Sequence, residues 1–219
     1  MSKSRLFASV MAANYRCLED DVHAVIEAGV DGLHFDVMDG NFVPNITFGK
    51  DLIAALRPLT DLPFDAHLMV NQPNVIAPQV IEAGADRVAI HPEAEGHLQR
   101  SLKYIRDLGA RPGVAVDPAI PLEMIQWVLD DVDYVLLLSV NPGYSGQEFI
   151  PASRRKIVAL AQMIREASHD ITITVDGGVE PSNIAELAQL GADDFVSGGS
   201  VFYHRPATDR VREFRQALS

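Results

Sequence analysis

Cysteine is nearly absent: Cys17 is the only one in 219 residues. No disulfide can form within the chain, and no cysteine-based metal cluster can assemble from it, which fits a reducing compartment and an expected cytoplasmic location. Cys17 itself reads as a packed small hydrophobe rather than a nucleophile. Positive charge is scarce too. Lys and Arg number 18 against 30 Asp and Glu, a formal net charge of −12. Phosphate attraction along a polymer needs a basic surface, so no nucleic-acid partner is expected. One small phosphate is still compatible, because a few backbone N–H groups hold it locally. No run of eighteen apolar residues exists, which argues against a membrane partner. The opening "MSKSRLFASVMAANY" lacks a long apolar core and a cleavage site, so no signal peptide is expected.

What the chain does have is a recurring phrase. "IEAGVDGLHFD" begins at Ile26, "IEAGADRVAIH" at Ile81 and "AQLGADDFVSGG" at Ala188. Each reads as a helix end, a glycine, a turn with Asp, then an apolar strand buried on both faces. Strands are expected near 5–11, 32–38, 64–69, 87–91, 111–116, 133–139, 171–176 and 194–198. Helices are expected near 18–28, 50–57, 74–83, 96–108, 121–129, 152–167, 181–190 and 207–217. Eight alternations with no linker predict one domain over 1–219, an α/β fold closed as a (β/α)₈ TIM barrel. A doubly wound open sheet ranks second, since "SVMAANY" supplies no glycine-rich turn after the first strand.

A barrel concentrates chemistry at the C-terminal ends of its strands. Polar residues gather there: Ser9, then His34 and Asp36, His67, His91, "SVNPGYSGQ", and Asp176. In "GLHFDVM" they alternate with Leu33, Phe35 and Val37, so one strand face is apolar and the other carries an imidazole and a carboxylate. His34, Asp36, His67 and Asp176 form a plausible first shell for one divalent ion, Zn²⁺, Fe²⁺, Mn²⁺ or Co²⁺; without a thiolate, softness selects none of them. Asp36 and Asp176 come from opposite sides of the ring. They suit a reaction that removes a proton from one face and returns it on the other, with the metal stabilising the developing oxyanion. Gly177 and Gly178, Gly198 and Gly199, and the 141–147 loop offer bare backbone for a phosphate, and that loop could close as a lid. Met11, Met38 and Met69 are candidates to line the site.

"HFDVMDGNFVPNITFG", "DAHLMV", "HPEA", "SVNPGYSGQEFIP" and "VDGGV" together resemble the ribulose-phosphate 3-epimerase family, in order and spacing, from Ser9 to Phe202. The resemblance implies a TIM barrel that interconverts D-ribulose 5-phosphate and D-xylulose 5-phosphate, with a metal on the C2 and C3 oxygens stabilising an enediolate. It implies His34, Asp36, His67 and Asp176 as metal ligands, Asp36 as proton acceptor and Asp176 as proton donor. It implies substrate contacts at Ser9 and His67, and a substrate and phosphate lining of Gly143, Tyr144, Ser145, Gly146, Gly177, Gly178, Gly198 and Gly199. A homo-oligomer, dimer or hexamer, is implied as well. The chain departs from the family pattern at Ala12 and Asn14, at Asp117 where Asn is usual, at Leu138, in "GYSG", and at Gly199. These changes leave the ligands intact and fall around the substrate, so D-allulose 6-phosphate is the alternative substrate. A metallohydrolase ranks low, because strand 1 ends in "FASVM" with no H-x-H pair. A non-catalytic phosphate-binding protein ranks low because both candidate bases are present.

Overall fold

Eight apolar runs become strands in the computed structural model, which describes residues 4–167 and 169–219. They are β1 (Arg5–Ser9), β2 (Gly32–Met38), β3 (Phe64–Met69), β4 (Arg87–Ile90), β5 (Arg111–Val116), β6 (Tyr134–Leu138), β7 (Thr172–Asp176) and β8 (Asp194–Ser197). All pair in parallel in chain order, and β8 returns to β1, so the barrel is closed. The outer helices are α1 (Leu18–Ala28), α2 (Lys50–Leu56), α3 (Pro73–Glu82), α4 (Leu98–Asp107), α5 (Ser153–Ala167), α6 (Ile184–Gln189), α7 (Gly199–Phe202) and α8 (Ala207–Ala217). The recurring phrase is the helix-to-strand joint: Gly29, Gly84 and Gly191 take φ of +99°, +111° and +115°, the left-handed exit that favours glycine. No helix among the described residues is long and apolar enough to cross a membrane.

The helix expected over 121–129 does not form. Two 3₁₀ turns replace it, Leu122–Met124 and Leu129–Asp131. Of the four buried residues of this stretch, Leu122, Ile125, Val128 and Leu129, the first three recur every third position, which matches three residues per turn rather than 3.6. The backbone follows that period, with N–H groups of Ile125, Val128 and Asp131 bonding three residues back. The short α7, in turn, occupies a stretch expected as loop.

Strand side chains divide as the alternation requires. Leu33, Phe35 and Val37 face outward into the main core beneath the helices. Phe7, Ala89, Ala115, Tyr134, Leu136, Leu138 and Val196 fill the barrel interior. Below them, at the strand N-terminal ends, lies an ionic floor. Arg87 is fully buried, with Nη1 donating to Asp194 Oδ2 at 2.7 Å and Nη2 to Thr174 Oγ1 at 2.9 Å. Its guanidinium lies 4.0 Å from the Tyr134 ring centroid, and the Tyr134 hydroxyl donates to Asp65 at 2.6 Å.

Candidate active site

His34 and Asp36 lie two residues apart on β2 and therefore share the inward face. The β2–β3 register sets Asp36 opposite His67, and β7 ends on Asp176. One ligand atom from each of these four residues lies within 4.8 Å of the others. His34 Nε2 is 3.3 Å from Asp36 Oδ1 and 3.8 Å from Asp176 Oδ2. His67 Nδ1 is 3.3 Å and 3.9 Å from the same two oxygens. The expected opposition of the two aspartates is corrected in one respect: β7 reaches β2 through β8 and β1 alone, and the two carboxylates converge on a common point.

The outer atoms of each residue are held. His34 Nδ1–H donates to Asp65 Oδ2 at 3.0 Å, which turns the Nε2 lone pair toward the cluster. That Nε2 is buried and has no hydrogen-bond partner. A cation fits this orphaned lone pair and the two carboxylates beside it, so the residues suit a divalent metal. Asp36 Oδ2 accepts from Ser9 Oγ at 2.6 Å, so Ser9, expected at the substrate, also orients Asp36.

Electrostatics separates the two aspartates. Burial disfavours the ionised form of Asp36, but the adjacent imidazoles of His34 and His67 outweigh it and hold the carboxyl far below its usual range. Burial also acts on Asp176, and the Asp36 charge adds to it, pushing Asp176 up to about 7. His34 loses charge preference to burial and regains more from Asp36 and Asp65, ending well above an ordinary imidazole. Metal binding needs lone pairs at both His34 and Asp176, so it must displace protons. Co²⁺ affinity, measured by chelator competition between about pH 6 and 8, should therefore rise with pH through about 7. An affinity flat across that interval would contradict this electrostatic account.

Beside the cluster lies a cleft of about 220 Å³. Tyr144, Ser145, Gly146, Gly177, Gly178, Gly198 and Gly199 line it, joined by Ser200, Tyr203 and His204, which the sequence did not single out. Gly143 instead lines a smaller cleft, together with Asp36, His67, Asp176 and the three methionines Met11, Met38 and Met69. The two clefts share Val140 and Tyr144. Gly178 has φ of +61°, and a Cβ there would come within 2.4 Å of the Phe149 backbone nitrogen, so no other residue lets this turn lie so close. No Lys or Arg lines the larger cleft, and its one acid, Glu180, is paired with Arg210.

The loop that reads as a lid is tethered. Gln147 Nε2 donates to the carbonyls of Asn141 at 2.6 Å and Tyr144 at 3.0 Å, and Asn45 Nδ2 donates to the Gly143 carbonyl at 3.2 Å. Asp39 anchors the opposite wall. Its Oδ1 accepts from the N–H groups of Asn41 and Phe42, and its Oδ2 from that of Asn71, each at 2.8 Å.

A sequence profile described as the ribulose-phosphate 3 epimerase family matches residues 5–202. The chain belongs to that family. The chloroplastic ribulose-5-phosphate-3-epimerase of Arabidopsis thaliana is 47% identical over 215 residues, covering 96% of this chain and 76% of its own. The ribulose-phosphate 3-epimerase of Aquifex aeolicus is 40% identical over 213 residues, covering 97% and 96%. The solved KGPDC from Streptococcus mutans shares the fold at a TM-score of 0.73 and 15% identity, covering 99% of this chain and 98% of its own. Membership in a ribulose-phosphate 3-epimerase family makes this chain an isomerase of the epimerase class.

Within this epimerase frame, Asp65 went unread in the sequence. It stands two residues before His67 and so shares its strand face, which is the signal that could have found it. His91 was noted only as a strand-end residue. It abuts the four-residue cluster directly, with Nε2 at 2.8 Å from His67 Nε2.

Proposed function

We propose that the chain interconverts D-ribulose 5-phosphate and D-xylulose 5-phosphate by taking the C3 proton from one face and returning a proton to the other. The observation that carries this reading is the convergence of Asp36 and Asp176, from different strands, on one metal-ligating cluster beside a glycine-walled cleft. The phosphate would lie in that cleft on backbone N–H groups of the glycine turns, which need no basic side chain. The reacting carbon would then lie near the carboxylates, since Asp176 immediately precedes Gly177. Asp36, kept ionised by His34 and His67 and oriented by Ser9, is the acceptor from ribulose 5-phosphate. Asp176, at the end of β7, is the donor, and the roles exchange in reverse. His34, Asp36, His67 and Asp176 would hold one Zn²⁺, Fe²⁺, Mn²⁺ or Co²⁺, which when bound supplies Lewis-acid stabilisation of charge on the ketose oxygens. Met11, Met38 and Met69 keep water from the reacting carbon.

The relatives named above are ribulose-phosphate enzymes, which favours the pentulose over D-allulose 6-phosphate. The homo-oligomer, dimer or hexamer, belongs to the same reading and is checked by light scattering. The activity is tested in deuterated water: ribulose 5-phosphate should yield xylulose 5-phosphate carrying deuterium at C3. Product formed without solvent deuterium would sink the two-base reading, and no turnover would sink the assigned substrate.

A further inference from the structure

His91 follows β4 and is fully buried against the metal-ligand set. Its ring stacks on that of His67, with centroids 5.0 Å apart and planes at 30°, and the two Nε2 atoms are 2.8 Å apart. At that separation one nitrogen must carry a proton and the other a lone pair: two N–H groups would collide, and two lone pairs would repel. His67 Nδ1 faces Asp36 and Asp176. Once that nitrogen binds a metal in place of its 3.3 Å hydrogen bond to Asp36, it must present its lone pair, so the single proton of neutral His67 then sits on Nε2 and is donated to His91 Nε2. His91 Nε2 is then an acceptor, and the proton of His91 sits on Nδ1. That atom lies 3.4 Å from Asp117 Oδ1, within ion-pair distance but outside hydrogen-bond geometry, and both atoms are otherwise left without a hydrogen-bond partner, so each is the other's nearest polar complement. Lys156 fixes the turn that carries Asp117 by donating to the carbonyls of Asp117, Pro118 and Ile120.

We propose that His91 and Asp117 are positioning residues: through the chain Asp117–His91–His67 they lock His67 in the tautomer that turns its Nδ1 lone pair on the metal. This rests on the reading of His67 as a metal ligand.

A rival use of the same atoms exists. Ligand atoms of His91, Glu93 and Asp117 also lie within 4.8 Å of one another, the spacing of a second cation site. The proton count decides against it. While His67 binds through Nδ1, His91 Nδ1 carries a proton and has no lone pair to give. The structure thus assigns one metal per chain, although it holds two clusters of suitable residues.

The test uses the full chain with Co²⁺ or Zn²⁺ alone. Asp117→Leu should weaken Co²⁺ binding by about 10- to 100-fold, the usual effect of losing a partner that orients a metal-bound histidine. Asp117→Asn keeps a side-chain oxygen as acceptor and should restore affinity to within a few-fold, a rescue that a packing role does not predict. In the Zn²⁺-loaded wild type, ¹⁵N spectra of the histidine rings should show the proton of His67 on Nε2 and that of His91 on Nδ1. Unchanged affinity in Asp117→Leu, the opposite tautomer at His67, or two Co²⁺ ions per chain would each overturn the proposal. His67→Ala separates the underlying reading: if it binds Co²⁺ as tightly as wild type, His67 is not a ligand. If only Asp117→Leu is neutral, the ligand stands and the chain behind it falls.

Discussion

Asp176→Asn is expected to lower turnover of ribulose 5-phosphate by about a thousandfold, the scale of a lost acid–base group. The substitution keeps the shape and one neutral oxygen donor, so metal binding should weaken without vanishing, and excess Co²⁺ compensates for it. What it removes is the proposed proton donor. Asp36 is untouched, still bonded to Ser9 and flanked by His34 and His67. The variant should therefore continue to exchange the C3 proton of ribulose 5-phosphate with deuterated water while making little xylulose 5-phosphate. Proton NMR of the substrate, run beside a coupled assay of product, reads both events. Exchange without inversion fits two separate bases. Near-normal inversion in the variant would contradict the role given to Asp176.

Asp65→Leu should damage two properties at once. Asp65 accepts from His34 Nδ1–H and from the Tyr134 hydroxyl, and its Oδ1 lies 3.4 Å from Arg87 Nε. The charge of Arg87, with hydrogen bonds from His34 and Tyr134, keeps this buried carboxyl ionised against the cost of burial. Leucine fills much the same volume but leaves Arg87 with one fewer anion and two buried donors without an acceptor. Breaking a buried charge pair from one side typically costs about 3–5 kcal/mol. Urea unfolding of metal-free protein should show a loss of that size. Independently, His34 loses the bond that fixes its tautomer, so Co²⁺ affinity should fall by about 10- to 100-fold. Asp65→Asn retains an acceptor and should recover affinity more fully than stability, because the charge opposite Arg87 is still missing. A variant as stable as wild type would mean that Asp194 alone compensates Arg87.

The strands and the convergence of His34, Asp36, His67 and Asp176 were legible for one reason: a period of two is visible along a short stretch. Polar residues alternating with Leu33, Phe35 and Val37 announce an inward face before any partner is known. The floor was not legible, because its pairs are remote in the chain. Tyr134 meets Asp65 across 69 positions, and Arg87 meets Asp194 across 107. Only the closed ring brings them together. The stretch 121–129 failed differently. Its apolar residues suit both a helix and a 3₁₀ turn, and the choice follows from the spacing of the buried residues, which composition does not reveal. The difference between His91 and His67 was equally opaque. Both are histidines at strand ends, and only the direction of each ring nitrogen places His67 in the four-residue cluster and His91 behind it.

Asp39 takes two backbone N–H bonds from its own loop after β2, at Asn41 and Phe42, and a third from Asn71, which ties that loop to the chain after β3. With Asn45 reaching across to Gly143, the rim stands before any sugar arrives. The conformational freedom of that rim is lost when the chain folds and not when it binds. Substrate capture then has little ordering to do, and product can leave without waiting for a wall to melt.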